Sequence, residues 1–221
     1  MNLDHISERM TSAFLEGKKY TPAQRDGYTD FAWPKVPKLM RFHTERYRVD
    51  GYGHFMTMQT RTAFGMELLT ASFMPGEGVR VPYCLIDIMT VGKKRTVFVE
   101  FYDCTAQKSE MPRLEQVTSR YAALGEYSEK PKWYVGERAP YSLIKCGGKG
   151  DETLLEEMIF ASLDAYNAEI SRADVDPANI AGLKAFRERM INEGNPSSSV
   201  LEKIFGKEGA KDFFVRCVMP I

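Results

Sequence analysis

Near the amino terminus the apolar residues Leu3, Ile6, Met10 and Phe14 recur every three or four positions, with polar residues between them. That period predicts a short amphipathic helix ending near Gly17. Residues 20–38 carry Pro22, Gly27, Pro34 and Pro37 and read as an extended connector, held down by Phe31 and Trp33. From Leu39 the period falls towards two. Residues 39–49 and 52–60 predict strands joined by the turn Asp50-Gly51, both of whose residues tolerate φ > 0. Three further strands are expected at 65–74, 79–91 and 95–102. Pro75-Gly76-Glu77-Gly78 and Gly92-Lys93-Lys94 separate them, because proline presets φ and glycine accepts positive φ. Together these make an antiparallel meander of about five strands, an ordinary sheet size.

Beyond Asp103 the pattern turns helical. Residues 112–124 place Leu114, Val117, Tyr121 and Leu124 on one face, and 141–146 read as one more strand, ended by Gly147-Gly148. The clearest helix covers 151–170, with Leu154, Leu155, Met158, Ile159, Ala165 and Tyr166 in one stripe. Asp176-Pro177 is an N-cap followed by proline at the first helical position, starting a helix to about residue 191. Residues 192–196 break it. Ser197 caps a short helix through Phe205, Gly206 ends that one, and 207–218 form the last. Strands first and helices later predict an α+β fold: a central, mostly antiparallel sheet with helices packed on it, in a single domain over residues 1–221.

Composition acts mainly by exclusion. Apolar residues are 43% and charged residues 27%, the balance of a globular chain rather than a disordered one. Thirty Lys+Arg offset thirty Asp+Glu, so global charge points neither to nucleic acid nor to a membrane surface. No run approaches the ~18 apolar residues of a spanning helix, and residues 1–10 lack the apolar stretch of a signal peptide. Cys84, Cys104, Cys146 and Cys217 lack the spacing of a zinc or redox pair, so reduced thiols in the cytoplasm are expected. His5, His43 and His54 stand at no metal-ligand spacing, and no metal site is expected.

One residue breaks the strand pattern. Asp87 stands inside Tyr83-Cys84-Leu85-Ile86-Asp87-Ile88-Met89, where every other side chain is apolar or aromatic. A carboxylate there loses hydration and must be paired, protonated or used. Alternate strand residues point to opposite faces, so Asp87 shares a face with Tyr83, Leu85 and Met89. In the preceding strand one face carries Met66, Leu68, Thr70 and Ser72, and the other carries Glu67, Leu69, Ala71 and Phe73. In the hairpin strand His54, Met56, Met58 and Thr60 share a face. Parity leaves open which sets coincide. If those holding Asp87, Thr70 and Met58 do, they form a methionine-rich surface with an imidazole, a hydroxyl and one carboxylate. Small-molecule sites are built this way, from a few polar groups in an apolar pocket. Two plainer readings stand beside it: methionines as core filler, and Asp87 bonded to backbone amides or to an arginine.

The run Pro75 through Asp87, followed by Gly92 and Asp103, resembles the ferredoxin-dependent bilin reductases. In that family a strand-ending proline is followed by an acidic turn, then by a proline five residues ahead of an aspartate. Pro82 and Asp87 stand so here, and the spacing from Pro75 matches without a gap. The segment 200–206 and Phe213-Phe214-Val215-Arg216 with its short apolar tail resemble the family's closing helices. The resemblance implies a three-layer α/β/α sandwich with a linear tetrapyrrole of the biliverdin kind between the sheet and the C-terminal helices. It implies no flavin, nicotinamide or metal held by the protein, and single electrons from reduced ferredoxin or flavodoxin. Asp87 falls at the family's proton-donating aspartate, and burial supplies the raised pKa that such a donor needs.

Faces and resemblance together nominate Met56, Met58, Met66, Leu68, Thr70, Tyr83 and Leu85 as pigment contacts. Arg187 or Arg189 is the expected partner of a propionate. The chain also departs from the family. Thr70 falls where phycocyanobilin-forming members place a histidine, Met58 near their glutamate, and Asn195 nearest the second aspartate of other members. An amide cannot donate a proton as an acid does, which leaves His54 and Tyr83 as candidate second donors. Ferredoxins are acidic, so Lys35, Lys38, Arg41, Arg46, Arg48, Lys93, Lys94 and Arg95 are candidate docking residues. The alternative is a carrier on the same fold that binds the pigment without reducing it.

Overall fold

In a computed structural model, which describes residues 1–34, 37–76, 78–105, 108 and 110–221, the period-two segments pair into one sheet. Its strands are β1 (Tyr20–Pro22), β2 (Asp30–Trp33), β3 (Met40–Val49), β4 (Gly53–Thr62), β5 (Met66–Pro75), β6 (Tyr83–Val91), β7 (Lys94–Tyr102) and β8 (Leu143–Gly147). Every ladder is antiparallel, in the order β1-β3-β4-β5-β6-β7-β8, with β2 also on β3. The expected meander is therefore its centre.

The connector corrects the expectation. It contributes β1 and β2, end to end along the outer edge of β3, where unpaired backbone groups recruit a short partner. A second correction is the start of β6 at Tyr83 rather than Val79. Val79 bridges to Val175, Arg80 N–H donates to the Asp174 carbonyl at 2.9 Å, and Pro82 has no N–H to give a ladder. Glu77 of the intervening turn lies outside the described residues, as does Lys35. At the start of β4, Gly53 has φ 143°, and a Cβ there would lie 2.4 Å from the Met74 carbonyl oxygen. Only glycine lets β4 and β5 meet there.

The helices are α1 (Leu3–Leu15), α2 (Pro112–Arg120), α3 (Glu152–Ile170), α4 (Asn179–Asn192) and α5 (Ser198–Phe213). Asn2 caps α1, its side-chain oxygen accepting from the amides of Asp4 and His5. Helix α2 is shorter than its pattern, and Tyr121 and Leu124 are buried from the turns that follow it. Gly206, at φ 74° and ψ 174°, separates the two last helices as expected, and α5 is two helical pieces that meet there at a kink. A turn of π-helix, Phe214–Val218, then closes the chain against the sheet.

The sheet lies between two helical layers. Phe55, Leu69, Phe73, Ile86, Ile88 and Val97 face α1, α2 and α3. Phe14 of α1 lies 4.8 Å from Phe73 and 5.0 Å from Phe55, ring centre to ring centre. Burying one such ring contributes roughly 1.5–3 kcal/mol. On the opposite face Met56, Met58, Met74, Tyr83, Leu85 and Tyr102 pack with α4, α5 and the π turn. The fold is an α+β, three-layer α/β/α sandwich with an antiparallel centre.

Candidate functional site

Register settles what parity left open. Met58 pairs with Thr70 and Thr70 with Asp87; one row along, Met56 pairs with Ser72 and Ser72 with Leu85. All of them stand on the face under α4 and α5. A small cavity lies between that face and the C-terminal layer. Six of the residues singled out from sequence line it: Met58, Thr70, Tyr83, Leu85, Asp87 and Asn195. Met190, Ser197, Leu201, Phe213, Phe214 and Val218 close it from the helical side, without a charged group among them.

The cavity holds about 30 Å³, room for a water or two but not for four pyrroles. The same face continues past Asp87. Leu68 pairs with Met89 in the next row, and Phe98 and Ile144 continue the row of Asp87 across β7 and β8. These four side chains are half-buried, as is Met66, whereas Met56, Met58 and Leu85 are covered. Thr60 and Thr96 flank Leu68 and Met89 in register, and their buried hydroxyls have no partner among the described residues. An apolar strip with spare hydroxyls therefore extends from the cavity into the open.

Asp87 sits at this boundary. Thr70 Oγ1 donates to its Oδ1 at 2.5 Å, and among the described residues no arginine or backbone amide bonds it. Burial pushes its pKa up to about 6, and the Thr70 hydroxyl, which favours the charged form, pulls back. Asp87 as a whole is half-buried. Tyr83 Oη lies 3.2 Å from Ser72 Oγ, which donates to the Val218 carbonyl at 2.6 Å and ties β5 to the end of the chain. Burial raises the Tyr83 pKa far above the phenol range.

Other nominated residues lie elsewhere. His54 is on the right face but pairs with Met74, four residues along β5 from Thr70, and does not line the cavity. Met56 is buried beside the cavity without lining it. The Asn195 amide is occupied by its own loop: Oδ1 accepts from the Ser197 N–H at 3.0 Å, and Nδ2 donates to the Met190 carbonyl at 3.2 Å. Arg187 is largely buried on α4, 3.7 Å from Glu188, and its Nε has no partner among the described residues. Arg189 is held by Glu137 and Glu193 and lies over the Trp133 ring. Of the basic docking candidates, Arg95 is buried against Glu152 and Arg46 is engaged by Asp26. Lys38, Arg41, Lys93 and Lys94 remain on the surface.

Sequence reading missed Glu100. It is a buried carboxylate on the same face, paired in register with Leu85 and therefore diagonal to Asp87. Arg138 Nε donates to Glu100 Oε1 at 2.5 Å, Tyr102 Oη donates at 3.0 Å, and the same guanidinium engages Glu129. The signal was the one that exposed Asp87, an acid inside Val97-Phe98-Val99-Glu100-Phe101-Tyr102. Among the described residues no group of His, Cys, Asp and Glu could hold a metal ion, the four cysteines are free, and no helix is long and apolar enough to cross a membrane.

The site is thus an acid whose pKa burial raises, at the edge of a partly covered apolar sheet face in an α/β/α sandwich. Among solved structures, phytochromobilin synthase from tomato in complex with biliverdin shares the architecture, with a TM-score of 0.75 over 96% of this chain and 79% of that one. Identity is 13%, so the likeness establishes the fold. No family model and no curated protein matches the sequence.

Proposed function

We propose that this chain reduces an open-chain tetrapyrrole of the biliverdin kind, with Asp87 delivering a proton. One observation carries the proposal. Asp87, an acid without a cationic partner among the described residues and with its pKa raised by burial, stands on the apolar face in the fold of a protein crystallised with biliverdin. Reducing one double bond takes two electrons and two protons. Reduced ferredoxin or flavodoxin supplies the electrons singly, which needs no flavin, nicotinamide or metal in the chain. The first electron makes the pigment basic. The Asp87 O–H bond then breaks, the proton goes to the pigment, and the carboxylate left behind keeps its Thr70 hydrogen bond.

The pigment lies on the strip of Leu68, Met89 and Phe98, with one end reaching Thr70 and Asp87 at the cavity mouth. Methionine and leucine side chains adapt to its flat rings. Biliverdin titrated into the purified chain should change its visible spectrum, and reduced ferredoxin should then bleach or shift it. Asp87→Asn should keep the binding and lose the turnover. A chain that binds no biliverdin at micromolar concentration refutes the proposal.

The Asn195 amide, already spent on its loop, favours a second reading: a carrier that holds the pigment unreduced. In that case wild type binds without turnover, and Asp87→Asn leaves the bound spectrum nearly unchanged.

A further inference from the structure

Glu100, buried, and Asp87, half-buried, are acids of one sheet face, on adjacent strands and two residues apart in register. Such a diagonal separates Cα atoms by about 7–8 Å. The row beyond Glu100 is aromatic: Tyr83 stacks on Tyr102 at 6.0 Å, and Phe186 of α4 lies against both. In that setting the two carboxyls cannot ionise independently. Burial lifts both, Asp87 to about 6 and Glu100 to about 7, and the charge of Asp87 adds to the lift at Glu100, so the pair gives up its protons in two steps that belong to both acids.

The donors are shared unequally. Glu100 receives the Arg138 guanidinium and the Tyr102 hydroxyl, both of which stabilise an anion. Asp87 receives one threonine hydroxyl. The remaining ionisable groups nearby are Glu129, which shares Arg138, and Tyr83 and Tyr134, all of whose phenols stay neutral. The C-terminal layer contributes no charge to the cavity lining.

We propose that Glu100 is a positioning residue for Asp87: anchored as the anion by Arg138, it keeps the proton of the pair on Asp87. The negative charge sits where cations hold it, and the proton sits where the ligand strip begins. This reading deepens the function proposed above and rests on it for its catalytic meaning, but the pairing itself belongs to the ligand-free protein.

The test is a carbon-13 NMR titration of side-chain-labelled aspartate in wild type and in Glu100→Gln. Removing a charge about 7–8 Å away at an effective dielectric near 20 should lower the Asp87 midpoint by about one to two pH units. Glu100→Asp, which restores the charge, should return most of that shift. Should Glu100→Gln fail to fold, side-chain labelling of glutamate and aspartate in wild type decides the matter, because Glu100 must titrate below Asp87, and the reverse order overturns the proposal. Unmoved midpoints overturn the proposal. In turnover with biliverdin and reduced ferredoxin, the alkaline limb of the Glu100→Gln profile should move down by the same interval while biliverdin binding persists. A wild-type chain that binds no biliverdin would sink the preceding proposal, and the titration would still decide this one.

Discussion

Asp87→Asn should make the protein more stable at neutral pH while disarming it. The carboxyl has a folded pKa of about 6, against 3.8 for the free group. Between those values the folded chain binds more protons than the unfolded one, so stability falls as pH rises through that window and stays lowered above it. A displacement of about 2 units at 1.36 kcal/mol each sets the loss at about 3 kcal/mol, and the accessible edge of Asp87 makes that an upper value. Asparagine can still accept from Thr70 and has no proton to lose. At pH 7.5 the variant should therefore gain up to about 3 kcal/mol in urea unfolding, and near pH 4 the two proteins should match. Because Glu100 titrates in both, the quantity to follow is the difference between the two proteins across pH. A variant equally stable with wild type at both pH values, or weaker at pH 7.5, would refute the claim that burial holds a proton on this acid.

Other substitutions probe the neighbouring arguments. Thr70→Val removes the hydroxyl that favours the charged carboxylate, and the Asp87 midpoint should rise further in the same NMR titration. Arg138→Leu strips the cation from buried Glu100 and should cost about 3–5 kcal/mol in urea unfolding, much of it restored when Glu100→Leu is added. Gly53→Ala forces a Cβ against the Met74 carbonyl at a φ that alanine resists, and should cost about 1–3 kcal/mol or more. Leu68→Lys places a charge on the half-buried strip. It should change stability by no more than about 0.5 kcal/mol, yet weaken biliverdin binding about tenfold or more in an absorbance titration.

What could be read from the chain alone divides along physical lines. The central hairpins were legible because Asp50-Gly51 and Gly92-Lys93-Lys94 carry their turn chemistry locally and the strands between them alternate. Asp87 was legible because a desolvated carboxylate is an anomaly wherever the strand lies. The face it shares with Thr70 and Met58 was not, since side-chain parity is defined within a strand and only the ladder relates one strand to the next. The edge strands β1 and β2 were illegible for a similar reason. At three and four residues, they owe their form to the free edge of β3 rather than to any pattern of their own. Glu100 carried the same anomaly as Asp87, but its partner Arg138 comes from a loop far along the chain, a contact that no local period encodes. Gly206 was legible as a stop because its positive φ is open to glycine and breaks the helix there, and the piece after it buries Ala210 and Phe213.

Under the function proposed above, the place of Asp87 along its strand reconciles two demands that oppose each other. Deeper under α4 and α5, beside Leu85, the carboxyl would hold its proton more firmly, but a four-ring pigment would find only about 30 Å³ of room. Further out, beside Met89, a pigment could reach it freely, but water would return its pKa towards that of an ordinary aspartate and leave almost none of it protonated at neutral pH. The last row that the helical layer covers is the position where burial still lifts the pKa and the ligand strip already begins. Thr70 across the strand then limits the lift, so that a protonated fraction persists near neutral pH and can be released to a reduced pigment.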